Sequence, residues 1–173
     1  MNEGLLILGA GGHGQVAKET AQALGFSHVD FLDDASKAVI GKLNDFYLFR
    51  NEYKYAFVAI GNNLMRMKLV EELIKVGYLI PVLIHPTAFV SPNAKVEMGT
   101  IIGAKAVVNT NTQVKKGSII SIGALIDHDS IIDEYAHINT GAVIKSCTVV
   151  GKFKKIDAGE IYYKEKTSKE VGV

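Results

Sequence analysis

The chain has a single cysteine, Cys147, which excludes an intrachain disulfide. The role expected for that thiol is a small hydrophobe in a packed wall rather than a nucleophile. No charge dominates. Nineteen Lys and Arg face 18 Asp and Glu, a net of +1, and that balance calls for no nucleic-acid partner and no anionic membrane surface. No apolar run approaches the roughly 18 residues needed for a membrane span. The opening Met1-Asn2-Glu3 lacks the basic start of a secretory signal. Together these absences lead us to expect a cytoplasmic chain. What is abundant is apolar: 48% of the residues are hydrophobic, enough for a packed core and against wholesale disorder. A length of 173 residues suits one domain or two small ones.

The second half repeats. Counting in sixes from Ile84, every position through Ile156 is Ile or Val, thirteen in all. Four residues beyond each stands a small residue, from Ala88 to Thr148. Neither a helix nor a meander has period six. A parallel β-helix with triangular coils does: each hexad gives one short strand and one corner, and the β-branched residue points inward onto its equivalent in the next coil. Gly99, Gly117, Gly123 and Gly141 fall at corners, where positive φ is tolerated. Lys154 and Glu160 break the small-residue pattern, so the last regular coil is expected near 150, with an irregular cap or tail over 157–173. A solvated tail is the expectation for the lysines after 150.

The first half alternates strands and helices. Strands are predicted over 4–9, 29–32 and 55–60, with a short one near 79–84, and helices over 13–25 and 63–76. This pattern implies a small parallel sheet. Gly9, Gly11 and Gly14 match G-x-G-x-x-G between a strand and a helix, and Asp33 lies nineteen residues beyond Gly14. Such glycines let backbone N–H groups approach a phosphate at a helix N-terminus. About 80 residues supply only one of the two halves of a full dinucleotide fold, which favours a mononucleotide or nucleotide sugar over NAD. The glycines could instead serve tight strand–helix packing. The expected organisation is an α/β Rossmann-like unit over 1–80, a β-helix over 81–156 and the tail beyond.

The ordered set "LGAGGHG", "FLDD", "AIGNN" and "LIHPTAFVSPNA", followed by hexads containing "DHD" and "AHI", closely resembles the hexapeptide-repeat sugar acetyltransferases over residues 4–150. That family includes sialic acid O-acetyltransferases and nucleotide-amino-sugar N-acetyltransferases of bacterial surface-glycan synthesis. The resemblance implies a left-handed β-helix, a homotrimer with sites between prisms, acetyl-CoA as cosubstrate and no metal. It implies His128 as general base and Asp129 as the acid that raises its basicity. His137 and Ser146 would contact acetyl-CoA, and Gly11, Gly12, His13, Asp33, Asp34 and Gly61 the sugar substrate. The family's glycine-rich CoA end is not matched by Ser146 and the residues after 150.

The chemistry suits these residues. An amine must lose a proton as it attacks a thioester, and histidine titrates near neutrality. Alternatives stand beside each reading. His128 could be a solvated corner, His137 a contact between coils or subunits, and Asp33 and Asp34 an ordinary turn. Asp127 and Asp133 near the histidines lack the tight Cys/His spacing of structural zinc sites. The expected function is acetyl-CoA-dependent N-acetylation of a nucleotide-activated amino sugar. Sialic acid O-acetylation, or sugar-nucleotide binding without catalysis, are the alternatives.

Overall fold

The computed structural model describes residues 3–163. Its first part is a three-stranded parallel sheet in the order β2 (His28–Leu32), β1 (Gly4–Leu8), β3 (Tyr55–Val58). Helix α1 (Gly12–Ala23) follows β1 and α2 (Asn63–Val76) follows β3. Leu5, Leu6, Ile7 and Leu8 are all fully buried, as expected of a central parallel strand covered on both faces. α2 starts on Asn62, whose Oδ1 accepts the Met65 N–H at 3.0 Å, and stops at Gly77 in the left-handed region (φ +94°).

Two details differ from expectation, and α2 buries an unexpected residue type. A 3₁₀ segment, Leu43–Phe49, fills the connection between β2 and β3. The strand expected near 79–84 is reduced to Leu83–Ile84, with Leu79 making an isolated bridge to Tyr55. The stripe α2 buries is Arg66, Leu69, Val70 and Leu73, whereas Leu64 and Ile74 are exposed.

The second part is a parallel β-helix of two-residue strands in three sheets. The first face stacks Leu83–Ile84, Ile101–Ile102, Ile119–Ile120, His137–Ile138 and Lys155–Ile156. The second stacks Phe89–Val90, Val107–Val108, Leu125–Ile126, Val143–Ile144 and Ile161–Tyr162. The third stacks Lys95–Val96, Gln113–Val114, Ile131–Ile132 and Val149–Val150. From Ile102 to Ile156 every sixth residue is at most 1% exposed, each contributing roughly 1.5–3 kcal/mol of transfer free energy as an upper bound. Hydroxyls at the small positions are buried and satisfied. Thr112 Oγ1 donates to Asp127 O (3.0 Å) and Ser130 Oγ to Lys145 O (3.1 Å).

Regular coiling runs past 150 and past 156: Val143–Ile144 pairs in parallel with Ile161–Tyr162. Lys154 and Glu160 are tolerated at the small position because they lie in the terminal described coil, where no further described coil crowds them. Glu160 Oε2 accepts the Asp157 N–H at 2.9 Å. The rest of the expected tail, 164–173, lies outside the described residues. Among the described residues no helix is long and apolar enough to cross a membrane.

The two parts share a core. The outward residues of the first face, Leu83, Ile101 and Ile119, pack into the cluster of Leu5, Ile7, Ala17 and Phe57. The α/β part therefore sits on the first face of the prism and leaves the second face bare.

Candidate active site

The glycine turn divides by what each glycine meets. A Cβ on Gly14 would lie 2.1 Å from the Gly9 carbonyl oxygen, and one on Gly9 (φ +107°) 2.7 Å from that of Ala59. These two glycines serve close packing of strand and helix. Gly11, Gly12 and Gly61 meet nothing within 4 Å, so their backbone is open to a ligand. The packing reading of the motif thus holds at Gly9 and Gly14, while Gly11, Gly12 and Gly61 keep space beside their backbone.

The aspartates at the end of β2 are occupied. Asp33 Oδ2 accepts the Ala10 N–H (2.8 Å), and Oδ1 accepts those of Ala35 (2.8 Å) and Ser36 (2.9 Å). These amides, Ala10 first, hold its carboxyl below the usual range. Asp34 Oδ1 accepts the Leu43 N–H at 3.0 Å, tying the 3₁₀ segment to β2. Asp33 therefore fastens the glycine turn to the second strand, and neither aspartate lines the cleft described next.

A cleft of about 420 Å³ opens where α1 meets the first face and the corner following it. Gly12, His13 and Glu19 form one wall; Ser121, His137 and Asn139 form the other. His13 and His137, 124 positions apart, thus come together. His13 Nε2 and His137 Nδ1 are buried and have no hydrogen-bond partner, while His137 Nε2 lies 3.2 Å from Ser121 Oγ. Burial, and next the Arg66 charge, hold both imidazoles down at about 4. Both are neutral at pH 7. Ser121, Asn139 and Glu19 escaped the sequence reading because strand–corner phase alone does not tell which corner a helix will cover.

His128 occupies a different corner, between the second and third faces. Its Nδ1 lies 2.7 Å from Asp129 Oδ2, a contact that adjacency in sequence does not guarantee. Asp129 adopts a left-handed conformation (φ +56°), as do Asn111 and Cys147 at the same corner of neighbouring coils. Asn111 Nδ2 donates to Asp129 Oδ1 (3.1 Å), and Asp127 Oδ1 accepts the His128 N–H (2.8 Å). A carboxylate only accepts, so the pair needs the proton on Nδ1 and leaves Nε2 as the free basic nitrogen. The hydrogen bond to Asp129 raises the His128 pKa, and the same bond lowers that of Asp129. Ser146 follows His128 one coil on and stays with that corner, apart from His137.

The group with spacing for a cation, among the described residues, is also here. The ligand atoms of His128, Asp129 and Cys147 lie within 4.8 Å of one another, all exposed. Cys147 is thus an exposed corner residue and not a buried hydrophobe of the wall.

Comparison with known proteins places the chain in a family. The family model of the PglD N-terminal domain matches residues 4–73. The acetyltransferase domain of PglB from Neisseria gonorrhoeae FA1090 is 38% identical, with a TM-score of 0.85, covering 91% of this chain and 81% of that one. A structure of that domain in complex with acetyl coenzyme A aligns at 34% identity and TM-score 0.79, covering 94% and 91%. A mutant of perosamine N-acetyltransferase from Caulobacter crescentus, in complex with CoA and GDP-perosamine, aligns at 25% identity and TM-score 0.75, covering 90% and 86%. With a β-helix of hexapeptide coils, a glycine-turn α/β unit on its first face and this likeness over nine-tenths of its length, the chain belongs to the hexapeptide-repeat sugar acetyltransferases.

Proposed function

We propose that this acyltransferase uses acetyl-CoA to N-acetylate a nucleotide-activated amino sugar, with His128 as general base. The observation that carries the reading is the His128–Asp129 pair, which leaves one basic nitrogen free on a rigid, exposed corner. As the sugar amine attacks the thioester carbonyl, Nε2 takes the amine proton. The new C–N bond forms, the C–S bond breaks, and CoA leaves as a thiolate that is then protonated. The resulting imidazolium is stabilised by Asp129. No covalent enzyme intermediate is needed.

The cleft supplies the sugar-nucleotide subsite. Gly12 lines it with open backbone, Gly11 and Gly61 offer open backbone outside its lining, and His13 offers an unpartnered nitrogen. His137 Nδ1, likewise unpartnered, fits the acetyl carbonyl of acetyl-CoA. The amino-sugar reading is supported over free sialic acid by the relative that binds CoA and GDP-perosamine.

His128 and the cleft flank opposite edges of the second face, so one copy of the chain does not bring them together. The second face carries an outward column of Phe89, Val107, Leu125, Val143 and Ile161, with Phe89 55%, Leu125 43% and Ile161 60% exposed. A bare apolar column of this kind is a protein-contact surface. We infer a homotrimer in which the His128 corner of one copy faces the cleft of the next.

The test is thiol release from acetyl-CoA across UDP- and GDP-amino sugars and free sialic acids. Turnover with an amino-sugar nucleotide, reduced by about a hundredfold or more in His128→Ala, is expected. Near-normal turnover in that variant would remove His128 from the base role. Sugar-nucleotide binding without thiol release on any acceptor would favour the non-catalytic reading.

A further inference from the structure

Arg66 is the largest fully buried side chain of the described residues, 1% exposed, and its guanidinium has no acidic partner among them. Nε donates to Gly117 O (2.7 Å), Nη1 to Ile60 O (2.9 Å), and Nη2 to Asn63 Oδ1 and Tyr135 O (both 2.8 Å). Asn63 Nδ2 adds a bond to Phe153 O at 2.7 Å. Gly117, Tyr135 and Phe153 occupy one corner in three successive coils, each in the left-handed conformation. The first turn of α2 thus grips a stack of corner carbonyls, while the same guanidinium holds the carbonyl just before Gly61.

A buried cation among neutral acceptors is costly, and apolar residues of similar volume commonly pack such a junction as well or better. Docking alone does not call for arginine here. Its planar fork does something a hydrophobe cannot: it fixes one loop and two coils in a single geometry. Tyr135 stands two residues before His137, and Ile60 borders the open glycine at 61.

We propose that Arg66 is a positioning residue for acetyl transfer: its guanidinium ties the Ile60–Asn63 loop to the corner carbonyls of Gly117 and Tyr135, the corners that lead into the cleft residues Ile119, Ser121 and His137, and so sets the position and polarity of that wall of the cleft. The proposal rests on the transferase reading above. The cleft imidazoles support it, because the Arg66 charge acts with burial to keep His13 and His137 unprotonated. Tyr135, Lys155, Glu71 and Glu134 are the other titratable groups around this junction. Lys155 also opposes protonation of His137. The two glutamates act on Tyr135, whose phenol burial pushes up to about 12, so it stays neutral.

The experiment compares the full chain with Arg66→Met and Arg66→Lys. Nuclear magnetic resonance follows the histidine titrations, and thiol-release kinetics are measured at pH 6 and pH 8. In Arg66→Met, His13 and His137 should titrate at higher pH than in the wild type. The KM for the nucleotide sugar should rise about tenfold or more, and activity at pH 6 relative to pH 8 should fall. Arg66→Lys keeps the charge without the fork. Its histidines should titrate as in the wild type, with KM still raised. Wild-type KM in the folded Met variant, or in the Lys variant if the Met variant fails to fold, would overturn the proposal. So would unchanged histidine titrations in a folded Met variant. Absence of turnover in the wild type on every acceptor would count against the transferase reading instead, and the titrations would still decide on the charge of Arg66.

Discussion

His128 draws its basicity from the residue that follows it. The Asp129 carboxylate raises the imidazole pKa, and a general base works only when neutral. The acid limb of kcat/KM should therefore lie above the ordinary imidazole value of about 6.5. In Asp129→Asn the limb should move to lower pH, and the plateau should fall by about tenfold or more as the ring loses its orienting carboxylate. A pH–rate profile with an unmoved limb would show that Asp129 does not tune His128. His13 and His137 follow the opposite sign: burial and a buried cation keep them neutral through pH 7, so they add no limb of their own above about 4.

At the scale of elements, the strand–turn–helix unit separates packing from binding. In Gly14→Ala the new methyl group meets the Gly9 carbonyl, α1 must move off β1, and roughly 1–3 kcal/mol is lost. That corresponds to a fall in Tm of roughly 3–10 °C, read by thermal unfolding. Gly12→Ala meets open space in the first helical turn. It should leave Tm unchanged or slightly higher and raise KM for the sugar nucleotide. If both variants lose stability alike, the division fails. The G-x-G-x-x-G spacing was visible in the sequence, but the split was not, because it depends on which backbone atoms cross above each glycine. α2 teaches the same lesson. Its apolar Leu64 and Ile74 are exposed, whereas the helix buries Arg66. Its spacing from Leu69, Val70 and Leu73 was the one signal available.

For the whole molecule, the proposed trimer makes activity a property of the assembly. Leu125→Asp places a charge in the middle of the bare column of the second face. The variant should sediment as a monomer with an unchanged circular dichroism spectrum and lose acetyl transfer, while His128 and the cleft stay intact within each copy. A fully active monomer would refute a site shared between copies. The α/β part covers only the first face, which leaves this column free for a neighbour.

The sequence by itself determined the coil. In a solenoid each inward residue touches its equivalents one coil away, so a period of six is both the local pattern and the tertiary contact. It likewise determined the existence of the glycine turn and the placing of His128 and Asp129 at one corner, while the contact between their side chains came from the structure. Only the tertiary structure decided that His13 meets His137 and that a buried arginine joins the two parts. Those contacts join residues tens of positions apart, whose pairing depends on which face of the prism the α/β part covers. No spacing along the chain records that choice.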